Sequence, residues 1–210
     1  MKAEEILSSE DFRKCAEFHG HICPGLAIGF QAARILMARL GASRAPDEEL
    51  AAIVETDACG ADAIQVMTGC TFGKGNLILK NYGKHAFSLA DRKRGKAFRA
   101  CLRPDALATQ PEDLSLFEKV RNEQATPEEV ERFNRLREER LRKVLEAAPE
   151  SLFTIEEIRA GLPSKARIME SAICDLCGEP TMVGLLRDIE NKRVCIPCAQ
   201  KRSMGSALDI

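Results

Sequence analysis

The chain has 210 residues, 45% of them hydrophobic and 30% charged, with no Trp, one Tyr and a formal net charge of −1. That composition suits a globular protein with an aliphatic core, and its charge balance excludes a global field that would draw it to nucleic acid or to an anionic membrane. No stretch approaches the roughly 18 to 20 apolar residues of a membrane span. The first residues, MKAEEILSSEDFRKC, contain no apolar run of signal-peptide length. A cytoplasmic, reducing location is therefore expected, where nine cysteines serve metal binding or thiol chemistry rather than a disulfide framework.

Ser8 or Ser9 is placed to cap a helix through DFRKCAEF. HGHIC follows, then PGLAIGFQAARILMARLG, in which Pro24 fits the first helical position and Gly41 the stop. This second helix is apolar nearly all round and should be central. LAAIVE reads as a buried strand, ADAIQVMTG as a helix, and LILKNYG, KHAFSLAD and KAFRACL as successive strands. GCTFGKGN fails as a phosphate loop, because three residues rather than four separate its first glycine from GK and Gly75 follows Lys74.

From Pro111 to Ala148 the chain turns strongly charged and helical. Val130, Phe133, Leu136 or Arg137, Leu141 and Val144 trace a narrow apolar stripe there, which suits either a bridge or dimer element or a helix lying on its own core. Thr154 and Glu157 have capping-box spacing for a short helix ending at GLP. The fold class expected is an α+β core of helices on an antiparallel or mixed sheet, with a helical linker and a small C4 zinc-finger domain. The boundaries expected are 1–106 for the core, 107–163 for the charged helical linker and 164–210 for the finger.

Cys174 and Cys177 are separated by two residues, as are Cys195 and Cys198, with 17 residues between the pairs. Each C-x-x-C knuckle turns two thiolates toward one point, and two knuckles complete the tetrahedron of a structural zinc site. The strand pair between them should turn at Glu190-Asn191. A segment this short buries too little apolar surface to fold unaided, so metal should supply its folding energy. No aromatic follows Phe153 and the basic residues are nearly balanced by acidic ones, which favours protein contact over nucleic acid.

His19, His21 and Cys23 are spaced by two, so in an extended segment all three side chains point to one side. Pro24 makes Cys23 the expected N-cap, where the helix dipole favours its thiolate as a zinc ligand or nucleophile. In ETDACGAD, Cys59 holds the same position at the start of another helix, with Asp57 two residues before it. His19, His21, Cys23 and Cys59 are thus candidate ligands of a second transition metal in the core, with Asp57 beside it or acting as general base. Cys23, Cys59 and Asp57 are also the candidate catalytic groups of a thiol enzyme. The plainer alternatives are a polar lip for the histidines and a small buried apolar residue for Cys59. Cys70 and Lys74 are expected to line the same cavity. Cys15 and Cys101 read as core fillers, and His85 can face either way.

FHGHICPGLAIGF, VETDACGADAIQVMTGCTFGKGNLIL and YGKHAFSL together resemble the E-subunit family of formylmethanofuran dehydrogenase over roughly residues 10 to 103. CDLCGEPTMVGLLRDIENKRVCIPCA resembles the C4 finger attached to longer members, itself similar to the DksA/TraR type. The resemblance implies an α+β core, a C-terminal zinc finger and an intertwined homodimer, and it points toward archaea or anaerobic bacteria. The parent complex reduces CO₂ onto methanofuran with a molybdenum or tungsten pterin and iron–sulfur clusters carried by its other components. The function expected is a metal-binding protein accessory to that one-carbon, methanogenesis-type metabolism. The alternatives are a thiol-based enzyme and a regulator that docks its finger on a protein such as RNA polymerase.

Overall fold

The computed structural model describes residues 2–107, 111–159, 165 and 169–204, divided into two compact units at Lys165 and Ala166. The first unit opens with helix α1 (Ala3–Leu7) and helix α2 (Glu10–His19), the latter capped by Ser9, whose hydroxyl accepts from Phe12 N–H. Helix α3 (Pro24–Leu40) runs through the middle, and eleven of its seventeen residues are buried. Strand β1 (Leu50–Val54), helix α4 (Gly60–Thr68) and strand β2 (Leu77–Leu79) form a parallel crossover. Strands β3 (Ala86–Asp91) and β4 (Lys96–Leu102) continue antiparallel, and β5 (Phe153–Glu157), from much later in the chain, completes the order β2-β1-β3-β4-β5.

One sheet face carries the rows Val54–Phe87–Ala100–Ile155 and Ala52–Leu89–Phe98, and α3 and α4 pack on it. Phe12 and Phe87, both fully buried, fill this layer from the helix and sheet sides. Glu55 and Arg99 make a two-pronged ion pair at the edge of the opposite face, Nε–Oε1 2.6 Å and Nη2–Oε2 2.9 Å. The pair braces the end of β1 just before the loop that leads to Cys59, and the Glu55 carbonyl also accepts from Tyr82 and Lys84 N–H.

Of the segment expected as a linker, 107–163, the described residues 111–159 pack with the core in the first unit. Helix α5 (Pro111–Arg121) pairs with helix α6 (Pro127–Glu146) through an edge-on Phe117–Phe133 contact. The apolar stripe of α6 serves its own chain: Leu141, Val144 and Leu145 are buried, and the buried Gln31 amide donates to the Val144 and Leu145 carbonyls at 3.1 and 2.7 Å. Helix α7 (Pro149–Leu152) then leads into strand β5 (Phe153–Glu157), which replaces the short helix expected from Thr154 and Glu157. The unpaired edge of β4 offers a full ladder to this segment, and Phe153 and Ile155 reach the core from it, which outweighs a local capping pattern. The GLP stop itself lies outside the described residues.

The second unit contains strands β6 (Ser171–Ile173) and β7 (Pro180–Met182), strands β8 (Arg187–Ile189) and β9 (Lys192–Val194), and helix α8 (Ile196–Met204). A single turn of 3₁₀ helix, Val183–Leu185, joins the two hairpins. Glu190 and Asn191 make the β8–β9 turn with φ of 50° and 62°, at the position expected from the sequence. Its core is Cys174, Val194 and Cys195, with Leu186, Ile189, Cys198 and Ala199 around them.

Helices α3 and α4 meet at Gly29 and Gly60. A Cβ on Gly29 would lie 2.2 Å from the Gly60 carbonyl oxygen, so Gly29→Ala must push the helices apart. It is expected to cost about 3 kcal/mol, at the upper end of overpacking effects, read as a lower urea midpoint with unchanged m. Arg99→Met should cost a similar ~3 kcal/mol at pH 7, because it leaves the Glu55 carboxylate unpaired and nearly buried. Arg99 holds the Glu55 carboxyl below its usual range. The pair's contribution is therefore complete above the unfolded carboxylate value of about 4.3 and fades as pH falls through the lower folded one, so the stability gap between wild type and Arg99→Met should close in acid.

Candidate metal centres

His19 is the last residue of α2, and Gly20 turns the chain in the left-handed region at φ 88°. His21 and Ile22 then lead to Cys23, which is extended (φ −150°, ψ 162°) and caps α3. Convergence therefore comes from a helix end and a glycine turn rather than from one extended run. The His19 and His21 rings lie 4.4 Å apart, and a ligating atom from each of His19, His21 and Cys23 lies within 4.8 Å of the other two. His19 Nε2 is 3.8 Å from Cys23 Sγ, which also accepts from Leu26 N–H at 3.3 Å. Ligands about 2.0 to 2.3 Å from a tetrahedral metal are separated by roughly 3.3 to 3.8 Å, so the His19–Cys23 spacing fits such an ion.

Asp62 Oδ2 lies 2.7 Å from His19 Nδ1. A carboxylate there keeps the ring proton on Nδ1 and turns the Nε2 lone pair toward Cys23, the arrangement found behind metal-ligating histidines. Asp62 sits in the first turn of α4 and is steadied by Gln65 Nε2 at 3.3 Å. Asp62 thus takes the place expected of Asp57, and the three-residue step from Cys59 to Asp62 at a helix start is the sequence signal that points to it. Asp57 is exposed, and its carboxylate accepts from Asn81 Nδ2 at 2.8 Å.

Cys59 comes to the same place from the start of α4. A Cβ on Gly25 would lie 3.5 Å from Cys59 Sγ and 3.9 Å from Cys23 Sγ. Cys59 is not one of the three residues grouped within 4.8 Å, so it stands beside Cys23 at the margin of the cluster. Burial, and next the Cys23 sulfur, push the Cys59 thiol up. Its expected capping role is not made, since its side chain accepts no bond from α4 and its backbone is already helical.

Cys70 and Lys74 are engaged elsewhere. Cys70 is fully buried and its thiol is pushed up by burial. Lys74 Nζ donates to the Asp47 and Pro46 carbonyls at 3.1 and 3.5 Å, closing the 69–76 loop onto the segment before β1. Cys15 is a core residue as expected, and Cys101 is half-buried on β4.

In the second unit the four sulfurs of Cys174, Cys177, Cys195 and Cys198 lie within 4.8 Å of one another. Cys177 and Cys195 Sγ are 3.8 Å apart, the edge expected of a tetrahedron with metal–sulfur bonds of about 2.3 Å. Gly178, at φ 75°, makes the turn after the first knuckle. The N–H groups of Cys177 and Cys195 aim at Cys174 Sγ and lower its thiol to about 6, while hydrogen bonding to Cys195 raises Cys198 to about 12. The unit is compatible with a zinc finger, with all four donors supplied by the chain.

Residues 18–154 match the family described as FmdE, Molybdenum formylmethanofuran dehydrogenase operon. The chain belongs to the FmdE family. This FmdE-family chain is 35% identical over 193 residues to a probable S-adenosyl-L-methionine-binding protein of Archaeoglobus fulgidus, covering 89% of the chain but 51% of that protein. The chain thus spans about half the length of this curated relative. It also resembles, with a TM-score of 0.61 and 26% identity, the crystal structure of an FmdE-like protein of the tungsten formylmethanofuran dehydrogenase type from Syntrophus aciditrophicus, over 96% of this chain and 97% of that one. Family and donor clusters together describe a metal-binding FmdE-like protein. No helix among the described residues is long and apolar enough to cross a membrane.

If Asp62 orients His19 for a metal, Asp62→Asn should weaken zinc binding at the core site by about 10- to 100-fold and leave the finger unaffected. Competition with a chromophoric chelator resolves the two affinities.

Proposed function

We propose that this chain is a metal-handling protein with two centres. Structural zinc is held by Cys174, Cys177, Cys195 and Cys198. A second transition metal is held in the core by His19, His21 and Cys23, with Cys59 beside them. The observation that carries the reading is the meeting of three donor atoms within 4.8 Å, with Asp62 bonded to the back of His19. Three protein donors backed by a carboxylate resemble a catalytic or exchangeable site with one open position, whereas four thiolates make a closed, structural one. A metal in the core would supply Lewis acidity toward a small bound molecule.

The family description names a molybdenum formylmethanofuran dehydrogenase operon, and the structural neighbour is named for the tungsten form. Both support an accessory role in molybdenum- or tungsten-dependent one-carbon metabolism; a cytoplasmic location and a homodimer belong to the same proposal and rest on the sequence resemblance alone. S-adenosylmethionine, named for the Archaeoglobus relative, is a ligand to test on this chain, since about half of that protein lies outside the match.

Adjacent Cys23 and Cys59 also support a thiol-based reading. In it Cys23, the cap of α3 whose sulfur accepts from Leu26 N–H, is the nucleophile, and burial and its neighbour push the adjacent Cys59 thiol up. Exposed Ile173, Met182 and Leu185 on the finger support contact with a protein partner.

Metal analysis of the purified protein separates these readings. Two equivalents are expected, one lost in Cys23→Ser and the other in Cys174→Ser. A single equivalent, lost only with Cys174→Ser, together with selective alkylation of Cys23 at neutral pH, would replace the core metal by the thiol reading.

A further inference from the structure

Helix α6 runs past the end of α3 and over Cys23. Positions 134, 137 or 138, 141 and 144 or 145 fall on one face of a helix. Where this face covers α3 it is apolar and buried, as Leu141, Val144 and Leu145. One turn further toward the N-terminus it becomes Arg137 and Glu138, then Asn134. The change in character coincides with a cavity of about 310 Å³, lined by Leu7, Ile22, Cys23, Pro24 and Leu141 together with Asn134, Arg137 and Glu138. The apolar stripe itself continues through Leu136 and Phe133 toward α5, while the face at 134, 137 and 138 turns polar at the wall of the cavity that holds Cys23.

Arg137 is held in place there. Its Nη2 donates to the Ile22 carbonyl at 3.1 Å, one residue before Cys23. A guanidinium carries five N–H donors in a planar fork, so this bond orients the group and leaves others for a ligand. The only carboxylate among the lining residues, Glu138, accepts from Arg142 Nε and Nη2 at 3.2 and 3.1 Å, which offsets its charge. The other walls, Leu7, Ile22, Pro24 and Leu141, are apolar. We propose that this cavity is the ligand pocket of the core centre and takes a small carboxylic acid, its carboxylate read by Arg137 and Asn134 and its short alkyl chain by the apolar wall.

The inference rests on the reading of Cys23 as a metal ligand, which gives the pocket its chemistry, and names the substrate class of that site. Arg137 is a binding residue in this scheme. It touches the ligand and not the metal.

The test is calorimetric titration of the zinc-loaded full chain with butyrate, acetate and butyramide, with metal content measured on the same samples. Butyrate should bind, acetate several-fold more weakly, and butyramide not at all. Arg137→Met should weaken butyrate at least tenfold, with metal content and melting temperature unchanged. Ile22→Ala, at a half-exposed position, should narrow the preference for butyrate over acetate, and it checks the pocket independently of Arg137. Butyramide binding as tightly as butyrate, or an Arg137→Met protein that binds butyrate like wild type, would overturn the pocket while two metal equivalents left the core centre standing. A single equivalent would instead remove the core metal. Arg137-dependent butyrate binding would then still support the pocket, and its absence would overturn it.

Discussion

Everything that converges in the core of this protein depends on the contact between Gly29 of α3 and Gly60 of α4. With no side chain at either position, one backbone comes close enough that a Cβ on Gly29 would fall 2.2 Å from the other's carbonyl oxygen. Two helices crossing this tightly bring their starts together. Cys23 at the start of α3 and Cys59 at the start of α4 therefore meet across Gly25, which is small enough to leave both sulfurs in place. The carboxylate of Asp62, in the first turn of α4, is delivered to His19 by the same crossing.

Around that contact the rest of the first unit acts as a frame. The mixed sheet supports α3 and α4 from one side, and the Glu55–Arg99 pair fixes the end of β1 where the chain leaves for Cys59. Helix α6 closes the other side, bound to α3 by the Gln31 amide and to α1 by the Glu146 carboxylate on Ala3 N–H. A helix of this polarity is marginal alone. Its short buried stripe and capping box hold it in place, and they carry Arg137 and Asn134 to the wall of the Cys23 cavity.

The two centres differ in what their surroundings ask of a metal. The finger gathers four cysteine sulfurs around a small core of Cys174, Val194 and Cys195, so a metal bound there would be inseparable from its fold. The core cluster sits on helices that are packed without it, with a carboxylate behind one histidine and a cavity in front of the cysteine. On the proposed reading, that difference separates a structural site from one that exchanges or handles a ligand.

Much was determined by the sequence alone. The C-x-x-C pairs, the Pro24 and Gly41 limits of α3, the strands from Leu50 to Leu102 and the Glu190-Asn191 turn were all legible, because each rests on interactions within a few residues. His19, His21 and Cys23 were legible as candidates for the same reason. What only the tertiary structure decided involves partners far apart in the chain. Residues 153–157 become a strand because β4 offers an edge, against the local capping pattern. Helix α6 packs on the core because its stripe fits α3. Asp62 and not Asp57 reaches His19, because the direction of a side chain at a helix start depends on how that helix crosses its neighbour. Arg137 reaches the cavity for a similar reason: a residue 114 positions from Cys23 is its neighbour only once α6 has been laid down.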